Sequence, residues 1–461
     1  MNLPFSYFRF MYRYFLYLFV SSVLLGACAQ PDSTSSVASS QKLQSLDWLL
    51  KDDSLYRHVE VNETGVALYA SEEDREAGRV ECRIYPQEYA LTAQLFRTLS
   101  PDSLLKLYLQ KGLQKWSQIL GTEISVDTLL PFAFDPNSPQ PMKGLKIAID
   151  PGHVSDNMED AELEGKYMKM KKNKREGTEA VAFFEPRLTL ATAWLIRDSL
   201  EKLGAEVMMT REVPGVGVRG KTFEEWKAED KDSILQAEAI EKEWSEEDLD
   251  YWLKKAGDKE LFKFFYNADD LRARAEKINA FRPDVTVIIH YNIHSPNWDA
   301  RDAEGYFRPV DTNYAMVFIP GGFIRNELGK PEDRLALLRM LVTDDVKHSY
   351  TMAKSYMYQT EKITGVPAVG QDSKLPYLDV FSIYTETPGV YARNLSLTRS
   401  VWGPLVYGES LCQDSRSEVF ELNRQDFEVH GVGTSPRLVD MAHAYIGTVW
   451  AYARIRHQED Q

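Results

Sequence analysis

Two short apolar runs, residues 145–149 and 285–289, constrain the fold of this chain more than any other feature. Runs of that length, rich in Leu, Ile and Val and bounded by polar sequence, are expected as strands buried on both faces of a parallel sheet. The first leads directly into Asp150-Pro151-Gly152-His153, and the second ends at His290. Two imidazoles delivered by the ends of two buried strands point to a metal site in a hydrolase.

The intervening sequence supports a layered α/β architecture. Residues 183–203 carry Leu188, Ala191, Leu195, Ile196 and Leu200 at helical spacing, with Gly204 at the stop. Residues 205–210 read as the next strand, so the order is strand, helix, strand, the unit of a parallel sheet. Further on, 271–280 is expected as a helix, 314–319 as a strand and 334–362 as mostly helical. Residues 395–397 and 404–407 are expected as final strands, and 438–456 as a closing amphipathic helix. The fold class is therefore α/β, with a mostly parallel or mixed sheet and helices on both faces. Residues 42–134 precede it with mixed patterns, strand-like at 66–69 and 80–85 and helical at Leu105, Tyr108, Leu109, Leu113 and Trp116. They are expected to form a small α+β domain of unknown role, joined through Pro136, Pro139 and Pro141 to a catalytic domain over 143–461. A charged stretch at about 212–270, holding Trp226, Trp244 and Trp252, interrupts the α/β pattern and is expected to be helical, either a solvated excursion or a lid that a partner displaces.

Charge excludes one class of partner. The chain has 54 basic and 69 acidic residues and a formal charge of −15, which repels a phosphate backbone, so nucleic acid is not expected. The first residues read as an address. Arg9 and Arg13 precede an apolar stretch at 15–27, about two thirds of the roughly 20 residues of a membrane-spanning helix. Leu25-Gly26-Ala27-Cys28 resembles the bacterial lipobox, which implies a signal peptide over 1–27, lipidation of Cys28 and a flexible tether over 28–41 rich in Ser, Thr and Gln. The expected location is the cell envelope, lipid-anchored to a bacterial membrane, the outer membrane on its periplasmic side. Cys82 and Cys412 are then the only other cysteines, and two separate buried thiols are expected rather than a disulfide framework.

In an open parallel sheet, ligands gather beyond the carboxyl ends of the strands. His153 and His290 lie there, Glu185 falls at the start of the helix after the first strand, and Glu409 lies just beyond 404–407. Two imidazoles and one carboxylate form a zinc set with an open position. A free carboxylate beside it, Glu409, suits proton transfer to and from the reacting groups. Each residue also has an ordinary explanation: a strand-end histidine is often structural, Glu185 complements a helix dipole, and Glu409 alone is a loop acid. His294 has helical zinc-pair spacing to His290 but follows a strand, and His348 and His443 fall on expected helices, where packing explains them.

From about residue 145 to 456 the chain resembles the zinc-dependent N-acetylmuramoyl-L-alanine amidases of the amidase_3 type. The resemblance rests on Asp150-Pro151-Gly152-His153; on Glu185 followed by Leu190, Ala193, Leu200 and Gly204; on Thr210-Arg211; on Arg274 and Asn279; on His290-Tyr291-Asn292; and on Glu409 five residues after Pro404. It implies zinc held by His153, Glu185 and His290, catalysis by Glu409, and peptidoglycan as substrate, with Arg274 and Asn279 in structural support. The chain departs from the pattern at Val154-Ser155, where glycines are usual, at the insertion over 212–270, and at Ser410-Leu411-Cys412-Gln413 after the catalytic glutamate. An activator protein acting on the insertion is a further expectation. The alternatives are a zinc hydrolase of another cell-wall amide and a catalytically silent peptidoglycan-binding lipoprotein.

Overall fold

The computed structural model describes residues 47–111, 134–174, 179–294, 296, 300–371, 373 and 375–459. The expected signal peptide, Cys28 and tether lie outside the described residues, as do Leu113 and Trp116. Among the described residues no helix is long and apolar enough to cross a membrane.

After a 3-10 turn at Asp53–His58, the described residues form a three-stranded antiparallel sheet, β1 (Val59–Asn62), β2 (Gly65–Leu68) and β3 (Cys82–Ile84), followed by helices α1 (Tyr89–Thr98) and α2 (Pro101–Lys111). Then come β4 (Lys146–Pro151), helix α3 (Met158–Glu164), the hairpin β5 (Tyr167–Met170) and β6 (Val181–Phe184), helix α4 (Glu185–Lys202) and β7 (Glu206–Met209). The charged segment forms α5 (Phe223–Glu229), α6 (Lys231–Glu241), α7 (Glu246–Lys254), the turn Asp258–Leu261 and a π-helical stretch Phe262–Tyr266 that runs into α8 (Asn267–Phe281). The remainder is built from β8 (Val285–Asn292), β9 (Met316–Ile319), α9 (Pro331–Val342), α10 (Asp345–Thr364), β10 (Ser382–Tyr384), β11 (Val390–Arg393), α11 (Ser396–Ser400), β12 (Leu405–Cys412) and the closing helix α12 (Pro436–Glu459).

Seven of these strands form one sheet in the order β10-β11-β9-β12-β8-β4-β7. The run β7, β4, β8, β12 is parallel; β12 pairs antiparallel with β9, β9 parallel with β11, and β11 antiparallel with β10. The sheet is therefore mixed, as the sequence implies. Its central strands are apolar on both sides for a simple reason. Ile147, Ile149, Val287, Ile289 and Val406 face one layer, which includes α4, α10 and α12, whereas Ala148, Ile288 and Leu405 face Ala275 and Ile278 of α8 and Leu397. With a helical layer on each face, alternation leaves no position for a solvated side chain.

The N-terminal strands and helices share the larger core with the sheet's helices. A buried polar contact sits at the join: Glu81 accepts from Arg334 Nε at 2.6 Å and Nη2 at 2.8 Å, and from the Tyr108 hydroxyl at 2.5 Å. Cys82 and Cys412 are separate buried thiols.

Two expectations need correction. Residues 395–397 are not a strand. Thr398 Oγ1 accepts from the Leu395 N–H at 2.9 Å and donates to the Arg393 carbonyl at 2.6 Å, a side-chain cap that winds Ser396–Ser400 into a helix. Glu409 is not beyond its strand but inside it, because β12 continues to Cys412. The short β10 and β11, with only a few residues each, carry too little periodicity to be read in advance.

His348 on α10 provides a pH-dependent element of stability. It is buried against Tyr452, and its Nε2 accepts a hydrogen bond from Arg456 Nη1 at 2.5 Å. Burial, with the Arg456 charge adding to it, pushes its pKa down to about 4. The unfolded chain takes up this proton near the ordinary value of about 6.5, so stability is complete above that pH and is lost as pH falls toward 4. His348→Gln, which keeps an acceptor for Arg456, is expected to shrink the loss of unfolding free energy between pH 7.5 and pH 5 by about 2 kcal/mol, as measured by urea denaturation at both pH values.

Candidate metal centre

The site forms at the carboxyl edge of β4 and β8. Beyond Pro151 the chain must turn under the ring of His290, and Gly152 permits it: a Cβ there would come within 2.3 Å of the imidazole. His153 follows with φ +65°, a left-handed conformation that costs a non-glycine residue roughly 1–2 kcal/mol. Surrounding groups hold it there. Arg274 donates to the Pro151 carbonyl at 2.7 Å and to the His153 carbonyl at 2.7 Å; Arg211 donates to the carbonyls of Pro151, Gly152 and Pro186; and Thr189 Oγ1 donates to the Gly152 carbonyl at 2.7 Å. Arg274 is itself fixed between two buried carboxylates, Asp150 at 3.1 Å and Asp270 at 2.6 Å.

Three donors converge. His153 Nε2 is 3.2 Å from Glu185 Oε1, His290 Nδ1 is 3.2 Å from the same oxygen, and the two nitrogens are 3.0 Å apart. Glu185 is the first residue of α4, its Oε1 also taking the backbone N–H of Tyr291 at 3.0 Å. These residues could hold a metal ion. The spacing fits a tetrahedral one: ligands at 2.0–2.1 Å lie about 3.3 Å apart along a tetrahedral edge, within a few tenths of an ångström of the observed separations.

Supporting groups define which atoms face the centre. Glu164, at the end of α3, faces His153 Nδ1 at 3.0 Å and takes Ser155 Oγ at 2.7 Å. Burial opposes its charge, but His153 and Ser155 overcome that and hold its pKa down to about 2. An ionised Glu164 can only accept, so His153 carries its proton on Nδ1 and presents the Nε2 lone pair inward. Lys166, two residues later, places Nζ 3.7 Å from Glu185 Oε2. Burial again opposes the charge of Glu185, and His153 and then Lys166 hold the carboxyl well below the ordinary range. For His290, burial dominates and lowers its pKa to about 4, leaving the neutral ring that ligation requires.

Glu409 lies on β12 in direct register with His290 of β8, and is half-buried. Burial, then the negative charge of Glu185, raises its pKa to about 7 against the opposing pull of Lys166, Arg393 and His153. Two residues earlier on the same strand, Tyr407 stacks on the His290 ring at 4.4 Å and 3°.

The structure thus brings together His153, Glu185 and His290, with Glu409 on the adjoining strand. Arg274 braces the turn that carries His153, and Asn279 pins the start of β12 by donating to Ser400 O and accepting from Trp402 N, both at 2.9 Å. His294 lies apart, with its backbone bonded to Asp414 and its ring near Tyr314. Sequence reasoning missed Glu164 and Lys166, which lie between His153 and Glu185. A signal was present, since Asn157 caps the Asp160 N–H at 2.9 Å and Gly165 closes the helix in the left-handed conformation.

The segment over 212–270 has a core of its own, built on Phe223, Trp226, Leu235, Leu261, Phe262 and Phe265. Val154 and Leu163 pack into that core, while their neighbours His153 and Glu164 face the metal centre. The Gly215 N–H bonds to Val154 O at 3.0 Å, and the Val218 N–H to Asp270 at 2.7 Å. Adjacent residues on two strips of chain therefore serve both the centre and the inserted helices.

No family model matches the sequence, and no curated protein is similar to it at a significant level. Among solved structures, the CwlD amidase of Clostridioides difficile in complex with the GerS lipoprotein is 15% identical, over 68% of this chain and 99% of that one, with a TM-score of 0.35. The apo N-acetylmuramyl-L-alanine amidase Ami1 of Mycobacterium abscessus is 17% identical over 67% and 99%, with a TM-score of 0.34. The N-acetylmuramoyl-L-alanine amidase AmiC2 of Nostoc punctiforme is 14% identical over 67% and 97%, with a TM-score of 0.33. At these values the likeness carries no argument about this chain's chemistry.

Two measurements probe the support of the centre. Glu164→Gln is expected to weaken zinc binding about 10- to 100-fold, the usual cost of losing a carboxylate behind a ligating histidine, in competition titrations with a chromophoric chelator. Trp226→Leu, in the inserted core, is expected to weaken zinc binding as well. Leu337→Ala, in the larger core, is expected to destabilise the chain by about 2–5 kcal/mol yet leave zinc affinity intact.

Proposed function

We propose that this chain is a zinc-dependent hydrolase of the amide between the lactyl group of N-acetylmuramic acid and L-alanine in peptidoglycan. The observation that carries the proposal is the convergence of His153 Nε2, Glu185 Oε1 and His290 Nδ1 with Glu409 in register beside them. The ordered motifs from Asp150 to Glu409 favour this amide over other targets.

Under this reading His153, Glu185 and His290 hold zinc, which when bound supplies Lewis-acid polarisation of a carbonyl. Glu409 takes a proton from the attacking water on a carboxylate oxygen and returns it to the departing alanine nitrogen. Its half-buried setting suits that exchange, because burial and Glu185 bring its proton affinity toward neutrality. Lys166 fixes the outer oxygen of Glu185, so that Oε1 remains turned to the two histidines. Tyr407 holds the His290 ring from its other face. We place the protein on the periplasmic side of the outer membrane, anchored through lipid on Cys28. A protein that bound the inserted helices would act on the centre through Val154 and Leu163.

Mass spectrometry of the fragments released from purified peptidoglycan tests the reading, with the zinc-loaded chain starting at Cys28 and Glu409→Gln in parallel. The expected products are stem peptides with a free L-alanine amine. Glu409→Gln should retain one equivalent of zinc and lose at least about 100-fold in turnover, the low end of general acid–base contributions. A different new N-terminus would move the cleavage to another amide. Zinc bound at one equivalent with nothing released would overturn the hydrolase reading in favour of a binding protein.

A further inference from the structure

Arg393, the last residue of β11, combines partial exposure with the lack of an ion pair among the described residues. Arg274 is paired with two carboxylates, and Arg334, Arg399 and Arg437 each face glutamates, while Arg211 is held by backbone carbonyls. Arg393 is half-buried, its Nε is buried with no hydrogen-bond partner, and among the described residues no carboxylate is within ion-pairing distance of it. Its guanidinium instead lies over two rings, 4.8 Å from the centre of Phe318 and 5.1 Å from that of Tyr377. A guanidinium stripped of part of its water without a compensating anion is costly. In a chain of net charge −15 a half-buried guanidinium with no direct ion pair has room to take an anion.

Its position says which anion. His290 of β8, Tyr407 of β12, Phe318 of β9 and Arg393 of β11 lie on four consecutive strands and form a continuous row. His290 stacks on Tyr407 at 4.4 Å, Tyr407 and Phe318 are 6.0 Å apart, and Phe318 carries the guanidinium. Glu409, on the strand of Tyr407, is within electrostatic reach of Arg393, which lowers its proton affinity. Two strand spacings separate β12 from β11, about 10 Å, which corresponds to about three residues of extended peptide.

We propose that Arg393 is a substrate-binding residue that pairs with a carboxylate on the peptide released by cleavage, about three residues from the scissile amide. Phe318 and Tyr377 pack against the planar guanidinium, an arrangement that lysine cannot reproduce in full. This inference rests on the peptidoglycan amidase reading, and it gives that site a preference for stem peptides whose carboxylates are free rather than amidated.

The test compares the zinc-loaded chain with Arg393→Met and Arg393→Lys. Methionine keeps the contact with Phe318, and lysine keeps the charge. One arm measures kcat/KM on a pair of N-acetylmuramoyl tetrapeptides, one with free carboxylates and one with all of them amidated. The other measures calorimetric binding of the released product, L-alanyl-γ-D-glutamyl-L-lysyl-D-alanine, which needs no turnover. Wild type is expected to favour the free acid by about tenfold or more, in line with a charge-assisted hydrogen bond. Arg393→Met should bring that ratio close to one and weaken product binding about tenfold, with Arg393→Lys in between. An unchanged ratio and unchanged binding in Arg393→Met would overturn the proposal. If wild type binds the product through Arg393 but cleaves neither substrate, the amidase reading fails and the carboxylate receptor stands. If wild type cleaves both at equal rates and binds the product no better than Arg393→Met, the receptor fails and the amidase reading stands.

Discussion

The guanidinium of Arg274 is the contact on which the rest of the site depends. It joins the end of β4, through Asp150 and the Pro151 carbonyl, to the His153 carbonyl and to Asp270 at the foot of the inserted helices. All of these groups are buried or nearly so, and each is too costly to leave unpaired. Removing the cation would leave two carboxylates uncompensated in the interior, a loss of about 3–5 kcal/mol for a broken buried pair. The same bonds hold His153 in a left-handed conformation that a free chain rarely visits. Preorganisation of the metal centre is thus supplied by the fold before any ion binds.

From that anchor the electrostatics of the site follow. Four acidic groups, Asp150, Glu164, Glu185 and Glu409, are gathered at one sheet edge, and each is assigned a separate state by its neighbours. Asp150 pairs with Arg274, Glu164 is held ionised by His153 and Ser155, and Glu185 is held ionised by His153 and Lys166. Only Glu409 has its proton affinity raised, because burial and Glu185 act on it in the same direction. Environments that push similar carboxyls apart are how one site separates a ligand from a proton carrier. Lys166 contributes to both ends of that separation, since it stabilises the charge of Glu185 directly and that of Glu409 at longer range.

Much of this was legible in sequence because the relevant patterns are local. The run before Asp150, the capped helix behind Glu185 and the strand through His290 each carry their own periodicity, and together they specify a parallel sheet with its ligands at one edge. What escaped reading is either non-local or short. Glu164 reaches His153 from the end of helix α3, and although the caps of that helix are legible, nothing local announces that its last carboxylate folds back. Arg393 acquires meaning only from the strand order that sets β11 beside β9 and β9 beside β12. Residues 395–397 misled for the opposite reason: a local apolar pattern resembled a strand, but the hydroxyl of Thr398 closed a helical turn.

The inserted helices complete the argument about support. A segment so charged reads most simply as solvated, yet its buried face is aromatic, and Val154 and Leu163 belong to that face. The residues next to them in sequence are the candidate ligand His153 and the carboxylate that faces it. A shift of the inserted core by a fraction of an ångström would therefore be felt at His153 before it reached any other part of the centre, since packed interiors transmit displacement rather than absorb it. Val154 and Ser155 give the turn two attachments, the valine to the inserted core and the serine hydroxyl to Glu164.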